Sequence, residues 1–376
     1  PGYIGQGGEM TLSTENGVQK LTMGGKTYSD LSNVAISLQT AQKNTTLDTT
    51  LSAEWADFRG TAYVKGQMAA GGNRNNAVTD APTPISAAEG TLYWAVHLGS
   101  SATGSGSMGG GSVSNPILVN DELIVYAGST LYRVNKDTGE TIKTGKMAGS
   151  SSFSINGPTY ADGMIFVALT NGVVQAFDAD SLESLWIYHD PLKGQPNCPI
   201  TVSNGYAYTG FWNSETRDAS FVCLPIADER PTASNEEKYA AWRHVQTGGF
   251  YWAGACVQNG VLLVGTDDGQ DSTSPVLSTG RVLLFDAATG ALLDEVGGIC
   301  GDVRSTICYD SGSNAYYATS KGGEFIRIKL DATGWKIASK QTLKLQNGTT
   351  SVAMSTSTPV VYKGRAYVGV SGSSQF

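Results

Sequence analysis

Ser114-Asn115-Pro116-Ile117-Leu118-Val119-Asn120-Asp121-Glu122-Leu123-Ile124-Val125 returns one repeat later as Asn156-Gly157-Pro158-Thr159-Tyr160-Ala161-Asp162-Gly163-Met164-Ile165-Phe166-Val167. In both copies a short apolar run meets a polar turn and then a second alternating run, the pattern of a β-hairpin. The unit recurs at Asn197-Cys198-Pro199 through Tyr208 and at Ala255-Cys256-Val257-Gln258-Asn259-Gly260 through Val264. Two more copies start at Ile307-Cys308-Tyr309 and at Thr358-Pro359, which makes six. A third strand and a second turn follow the hairpin. Leu131 to Glu140 aligns with Val174 to Ser181 and with Val282 to Gly290, each closing on a turn of the Asp-x-x-Thr-Gly type or a variant of it. That turn feeds a fourth strand, which ends in Leu185-Trp186-Ile187-Tyr188 in the second copy.

Four antiparallel strands in a repeat of about 40 residues make a propeller blade. One blade cannot bury both of its faces, whereas blades set around an axis pack sheet on sheet and protect their edges. The expected fold is an all-β propeller with six repeats visible, seven or eight in a full ring, and an incomplete last blade at the C-terminal end. Residues 1–52 read as an N-terminal arm or the end of a preceding β module, and residues 53–376 as the propeller. Within it, 54–98 form a lead-in and closing strand. Blades are expected at about 112–148, 155–190, 197–246, 251–298 and 303–346, with a partial blade at 355–376. Phe376 falls just after the second strand of the sixth copy, so the ring is expected to need further blades; the alternative is a smaller ring completed by the strand around Tyr93 and the 1–50 segment. The insertions Asn213 to Arg217, Asp228 to Tyr239 and Asp267 to Thr279 are expected to be loops on the propeller faces.

Composition agrees with many short strands and tight turns: glycine is 47 of 376 residues and charged residues only 15%. A net charge of −8 with dispersed lysine and arginine leaves no basic stripe, which excludes nucleic-acid binding. No apolar run is long enough to span a membrane, and no signal peptide is present in this segment. The five cysteines, Cys198, Cys223, Cys256, Cys300 and Cys308, lack CxxC spacing. Cys256 and Cys308 hold equivalent first-strand positions, where buried free thiols are the default and a disulfide between them would need Cα atoms closer than about 7 Å; Cys300, in the connection Gly297-Gly298-Ile299-Cys300-Gly301, could pair with one of them.

The repeat, with its Asp-x-x-Thr-Gly turn and following tryptophan, resembles the pyrroloquinoline quinone-like propeller repeat of quinoprotein alcohol dehydrogenases and of non-enzymatic bacterial scaffold proteins. The lead-in Glu54-Trp55-Ala56-Asp57-Phe58-Arg59-Gly60, then Ala81-Pro82-Thr83-Pro84 and Thr91-Leu92-Tyr93-Trp94-Ala95-Val96, extends the likeness over roughly residues 54 to 376. The whole most resembles large secreted or cell-surface propeller proteins of Gram-positive gut bacteria. That resemblance implies an extracellular or cell-surface location. Dehydrogenases of this type use a vicinal cysteine pair, a tryptophan beneath the quinone, and a Glu, Asn and Asp set that holds calcium and supplies the base. No two cysteines are adjacent here, and no such set can be assigned from the sequence, so the scaffold transfers and the site does not.

Four further features bear on chemistry. His97, His189 and His244 are isolated and lack the partners that catalysis needs, so a surface or interblade place is expected. Asp267, Asp268 and Asp271 in Gly265-Thr266-Asp267-Asp268-Gly269-Gln270-Asp271 could offer carboxylates to calcium, although the order is not an EF-hand loop; a solvated turn is the plainer reading. Trp212, Phe250, Tyr251 and Trp252 lie near strand ends, where exposed rings stack on a sugar or a partner side chain. The Gly104 to Gly111 run lacks the Lys-Ser/Thr of a phosphate loop and reads as a linker. The expected function is a non-enzymatic protein- or glycan-binding propeller, monomeric, with no catalytic residues and no required cofactor. A quinoprotein-like oxidoreductase with a divergent site and a structural spacer are the alternatives.

Overall fold

The computed structural model describes residues 11–15, 18–23, 26–29, 47–60, 63–64, 67–68, 90–99, 113–150, 157–270, 278–348 and 352–371. The chain divides into two units, Pro1–Ala41 and Gln42–Phe376. The first holds an antiparallel sheet of β1 (Thr11–Glu15), β2 (Val18–Met23) and β3 (Lys26–Tyr28).

In the second unit, β4 (Tyr63–Val64) and β5 (Gln67–Met68) make a short hairpin that precedes the blades. Blade I is β6 (Ile117–Val119), β7 (Glu122–Ala127), β8 (Thr130–Asn135) and β9 (Thr141–Lys146). Blade II is β10 (Thr159–Ala161), β11 (Met164–Leu169), β12 (Val173–Asp178) and β13 (Ser184–His189). Blade III is β14 (Thr201–Ser203), β15 (Tyr206–Gly210) and β16 (Asp218–Pro225), with β18 (Trp242–Thr247) as its fourth strand. Blade IV is β19 (Cys256–Gln258), β20 (Val261–Gly265), β21 (Gly280–Asp286) and β22 (Leu292–Ile299). Blade V is β23 (Cys308–Asp310), β24 (Ala315–Thr319), β25 (Glu324–Leu330) and β26 (Ile337–Lys344). The last pair is β27 (Val360–Tyr362) with β28 (Arg365–Tyr367). First strands neighbour one another in the order β6, β10, β14, β19, β23, β27, so the sheets fan around their inner edges.

Local chemistry explains the repetition. In blade IV the Asp286 carboxylate accepts from the Ala288 and Thr289 amides at 2.9 Å, and the Gly290 amide donates to the Asp286 carbonyl at 2.9 Å. Asn135 and Asp178 hold the equivalent turns of blades I and II in the same way. This is an aspartate side chain standing in for a backbone turn acceptor. A register shift recurs just before that turn in blades I, II, IV and V, a bulge that coils the outer strand.

In blades II and III a fourth-strand tryptophan then docks on the next blade. The Trp242 indole Nε1 donates to the Ala287 carbonyl at 3.0 Å, and its ring lies where a side chain at Gly290 would sit. Trp186 donates to the Ile226 carbonyl of blade III at 3.1 Å. Trp94, before blade I, repeats the arrangement on the Lys136 carbonyl at 2.9 Å, with its ring against Gly139. Residues 91–98 around it have no strand partner among the described residues, and Leu92 and Tyr93 stand 82% and 88% exposed.

The segment from Leu51 to Gly60 runs along the inner edges. Trp55 bridges Leu118 of β6, the Tyr160 amide of β10 donates to the Ala56 carbonyl at 2.7 Å, and Arg59 Nη2 donates to the Pro359 carbonyl at 2.9 Å. Buried Arg59 is thus tied to a residue 300 positions away in sequence.

The insertion Asp228 to Tyr239 corrects the expectation of a face loop. Its residues Glu236–Lys238 form β17, which adds in parallel to β13 as a fifth strand of blade II. An unpaired outer strand offers free amides and carbonyls, and the insertion from the next blade satisfies them. All five cysteines are free thiols, and Cys256 and Cys308 are buried at the starts of β19 and β23. No helix among the described residues is long and apolar enough to cross a membrane.

Candidate binding face

Because strands alternate in direction, the hairpin turn and the Asp-x-x-Thr-Gly turn of each blade share one face. The opposite face collects the connections between second and third strands and those leading from a fourth strand to the next blade. Four such connections, 211–217, 248–255, the described residues 266–270 after β20, and 300–307, converge from blades III, IV and V.

Trp212, Tyr251 and Trp252 meet there. The Trp212 and Tyr251 rings lie 4.8 Å apart edge to face, and Tyr251 and Trp252 lie 4.5 Å apart. All three are half-buried. Trp252 adopts a left-handed backbone, φ 59°, unusual for a bulky residue, and its indole Nε1 is buried without a hydrogen-bond partner. Phe250 departs from the sequence expectation of a face residue. It is 0% exposed, its ring packs 5.1 Å from Phe221, and its Cβ abuts Gly210, which leaves room for it in the blade III core. Gly248 and Gly249, both at positive φ, turn the chain so that residue 250 points inward.

Beneath the rings lies a charge network that the sequence did not disclose. Arg304 is 7% exposed, and its Nε and Nη2 grip the two oxygens of Asp267 at 2.9 and 2.6 Å. The same Nη2 lies 3.0 Å from Glu215 and 3.1 Å from Asp302. Tyr251 covers the guanidinium at 4.3 Å, Trp212 Nε1 donates to Asp267 at 3.0 Å, and Lys321 pairs with Asp302 at 2.9 Å. Burial raises the Asp267 carboxyl above the ordinary carboxylate range, with Arg304 opposing that shift. Burial also works against the charge on Arg304, but Asp267, Asp302 and Glu215 together hold its pKa above the usual value. For Asp302 burial is outweighed by Arg304 and Lys321, so its carboxyl lies below the usual range.

The remaining expected residues are placed as follows. Asp268 is turned to its own loop: its carboxylate accepts from the Gln270 amide and its amide donates to Asp302. Asp271 lies outside the described residues. His97 and His189 are exposed, and His244 sits edge-on to Phe285 at 4.9 Å, its pKa lowered by burial. Glu215, Asp302 and Arg304 were missed because the group is split between connections of different blades, Glu215 on β15–β16 and Asp302 with Arg304 on β22–β23, far from Asp267 in sequence. Aligning the repeats and asking which connections share a face is the one signal that groups them.

This arrangement does not fit a quinone and calcium site of the dehydrogenase kind. Glu215, Asp267 and Asp302 each bring a carboxylate oxygen within 4.8 Å of the others, but Arg304 Nη2 occupies the point they share. The cysteines that flank this face, Cys198, Cys256 and Cys300, are separated in sequence and all free.

Blades of four antiparallel strands, fanned around neighbouring first strands, define a β-propeller protein. Residues 50–211 match the family model described as outer membrane protein assembly factor BamB, a pyrroloquinoline quinone-type repeat model. The matched residues thus carry repeats similar to the pyrroloquinoline quinone type. No curated protein matches it. Among solved structures it is similar to quinohemoprotein alcohol dehydrogenase from Comamonas testosteroni, at 14% identity and a TM-score of 0.49, over 68% of this chain and 46% of that one. It is similar to quinohemoprotein alcohol dehydrogenase ADHIIG from Pseudomonas putida HK5, at 13% identity and a TM-score of 0.47, over 68% of this chain and 44% of that one. A europium-containing methanol dehydrogenase matches at 11% identity and a TM-score of 0.45, over 64% of this chain and 53% of the other. The chain thus spans about half the length of these structures.

Proposed function

We propose that the protein is a non-enzymatic binding scaffold, displayed outside the cell, that takes a glycan or a protein ligand on the face built by blades III to V. The observation that carries this reading is the Trp212, Tyr251 and Trp252 cluster, held half-exposed on connections from two blades. Rings fixed in this way present a wide apolar platform at little entropic cost, the property that makes aromatic residues dominate binding hot spots. The network beneath holds the platform rigid. Arg304 is pinned by three carboxylates and stacked under Tyr251, and Trp212 is anchored to Asp267. Acidic and hydroxyl groups at the rim, Glu215 and Ser214 among them, suit the hydroxyls of a sugar or the amides of a peptide.

A glycan array and a surface-protein panel probed with the purified chain test the reading, with affinities followed by tryptophan fluorescence. Trp252→Ala is expected to weaken an identified ligand by roughly 10- to 30-fold while the melting profile stays cooperative. Trp212→Phe, which keeps a ring, is expected to retain most of the affinity that Trp212→Ala loses. Unchanged affinity in all three variants would remove this face from the function. A rise in melting temperature with pyrroloquinoline quinone and calcium would instead favour the oxidoreductase reading.

A further inference from the structure

We infer that Arg304 is a built-in substitute for a hard cation: its guanidinium fills the space between Glu215, Asp267 and Asp302, so three blades are joined at this face without a metal. Calcium takes oxygen ligands at about 2.3–2.6 Å, so oxygens on opposite sides of one ion stand roughly 4.6–5.2 Å apart. The three carboxylates meet that spacing, with oxygens within 4.8 Å of one another. At their shared point stands Arg304 Nη2, 2.6 Å from Asp267, 3.0 Å from Glu215 and 3.1 Å from Asp302.

Further contacts, to the guanidinium and to its carboxylate partners, make it a fixture. Its Nε also binds Asp267, which fixes the plane of the fork. Tyr251 closes one side of it at 4.3 Å, and Trp212 occupies an oxygen of Asp267 that a metal would use. Lys321 adds a second positive charge on Asp302 at 2.9 Å, so two cations already face three carboxylates. The groups come from separate places: Glu215 from the β15–β16 connection, Asp267 from β20–β21, Asp302 and Arg304 from β22–β23, and Lys321 from β24–β25. A side chain therefore does at this face what a coordinated ion does elsewhere, with the difference that it cannot dissociate or be chelated.

The test compares the native chain with Arg304→Ser in terbium luminescence, excited through the tryptophans, and in melting curves with calcium or a chelator. The native chain is expected to give no saturable terbium emission and the same melting temperature in calcium as in chelator. Arg304→Ser is expected to melt lower, to recover with calcium, and to bind it in the roughly 0.1–1 mM range of weaker protein calcium sites. Asp267→Asn added to Arg304→Ser should abolish both the emission and the recovery. If Arg304→Ser does not fold alone, refolding it in calcium should restore the native circular dichroism spectrum. Saturable terbium emission from the native chain that Asp267→Asn removes would overturn the inference, because the ion would then coexist with Arg304. So would an Arg304→Ser chain that neither binds nor is rescued by calcium or terbium.

Discussion

At Gly290 and Gly260 the same residue type carries two different loads. Both sit at positive φ, 72° and 81°, where an L side chain is strained. A Cβ at Gly260 meets nothing within 4 Å, whereas at Gly290 it would fall 2.5 Å from the Trp242 ring. Gly260→Ala is therefore expected to cost only the backbone term, about 1–2 kcal/mol. Gly290→Ala adds overpacking of about 1–3 kcal/mol and a displaced indole. Urea unfolding separates them, and equal costs would show that the docked tryptophan contributes little. The residue scale is also where sequence reading fell short. Trp212, Tyr251 and Trp252 were legible because aromatic residues near strand ends stand out. Phe250 was not separable from Tyr251, since only the two preceding glycines and the empty place at Gly210 decide which of the neighbours turns inward.

Among the elements, β17 shows how a blade edge is managed. Lys238 is buried under the strand, 5.2 Å above the Trp186 ring, with Nζ 2.6 Å from the Ala227 carbonyl and 3.4 Å from Glu229. Buried Glu236 pairs with Arg230 at 3.1 Å. Breaking such a group by removing one partner strands the rest, so Lys238→Met is expected to destabilise by about 3 kcal/mol or more. Adding Glu236→Gln should return part of that loss. A neutral Lys238→Met would mean that β17 is held by its backbone pairing alone. The four-stranded blades were plain in the sequence because the hairpin and the Asp-x-x-Thr-Gly turn recur in register. β17 was hidden because it is three residues long and earns its strand geometry from an edge that belongs to another repeat.

Over the whole molecule, acid stability follows from the sign of the carboxyl shifts. Asp302 and Glu324 titrate lower in the folded chain than in the unfolded one, each despite burial, through Arg304 and Lys321 in one case and Lys344 and the Cys300 amide in the other. Their contribution is complete above the unfolded value, about 4, and is lost as pH falls from there through the lower folded value. Asp267 acts in the opposite sense, since burial raises it and its ionisation on folding is opposed. Asp302→Asn is therefore expected to flatten the acid limb of a stability profile measured between pH 5 and 2 more than Asp267→Asn does. Loss of the limb in Asp267→Asn alone would reverse the assignment.

The tryptophan contacts also carry a consequence for how such a molecule is assembled from units. The ring leaves one blade and its acceptor carbonyl belongs to the next, as Trp186 with Ile226 and Trp242 with Ala287 show. The junction is heterologous, a plug at one end of the unit and a socket at the other, the logic by which identical subunits polymerise. A unit duplicated between blades II and III would therefore bring its plug and its socket with it. At such junctions blade number is limited by curvature and not by recognition, and a unit can be gained or lost without that interface having to be reinvented.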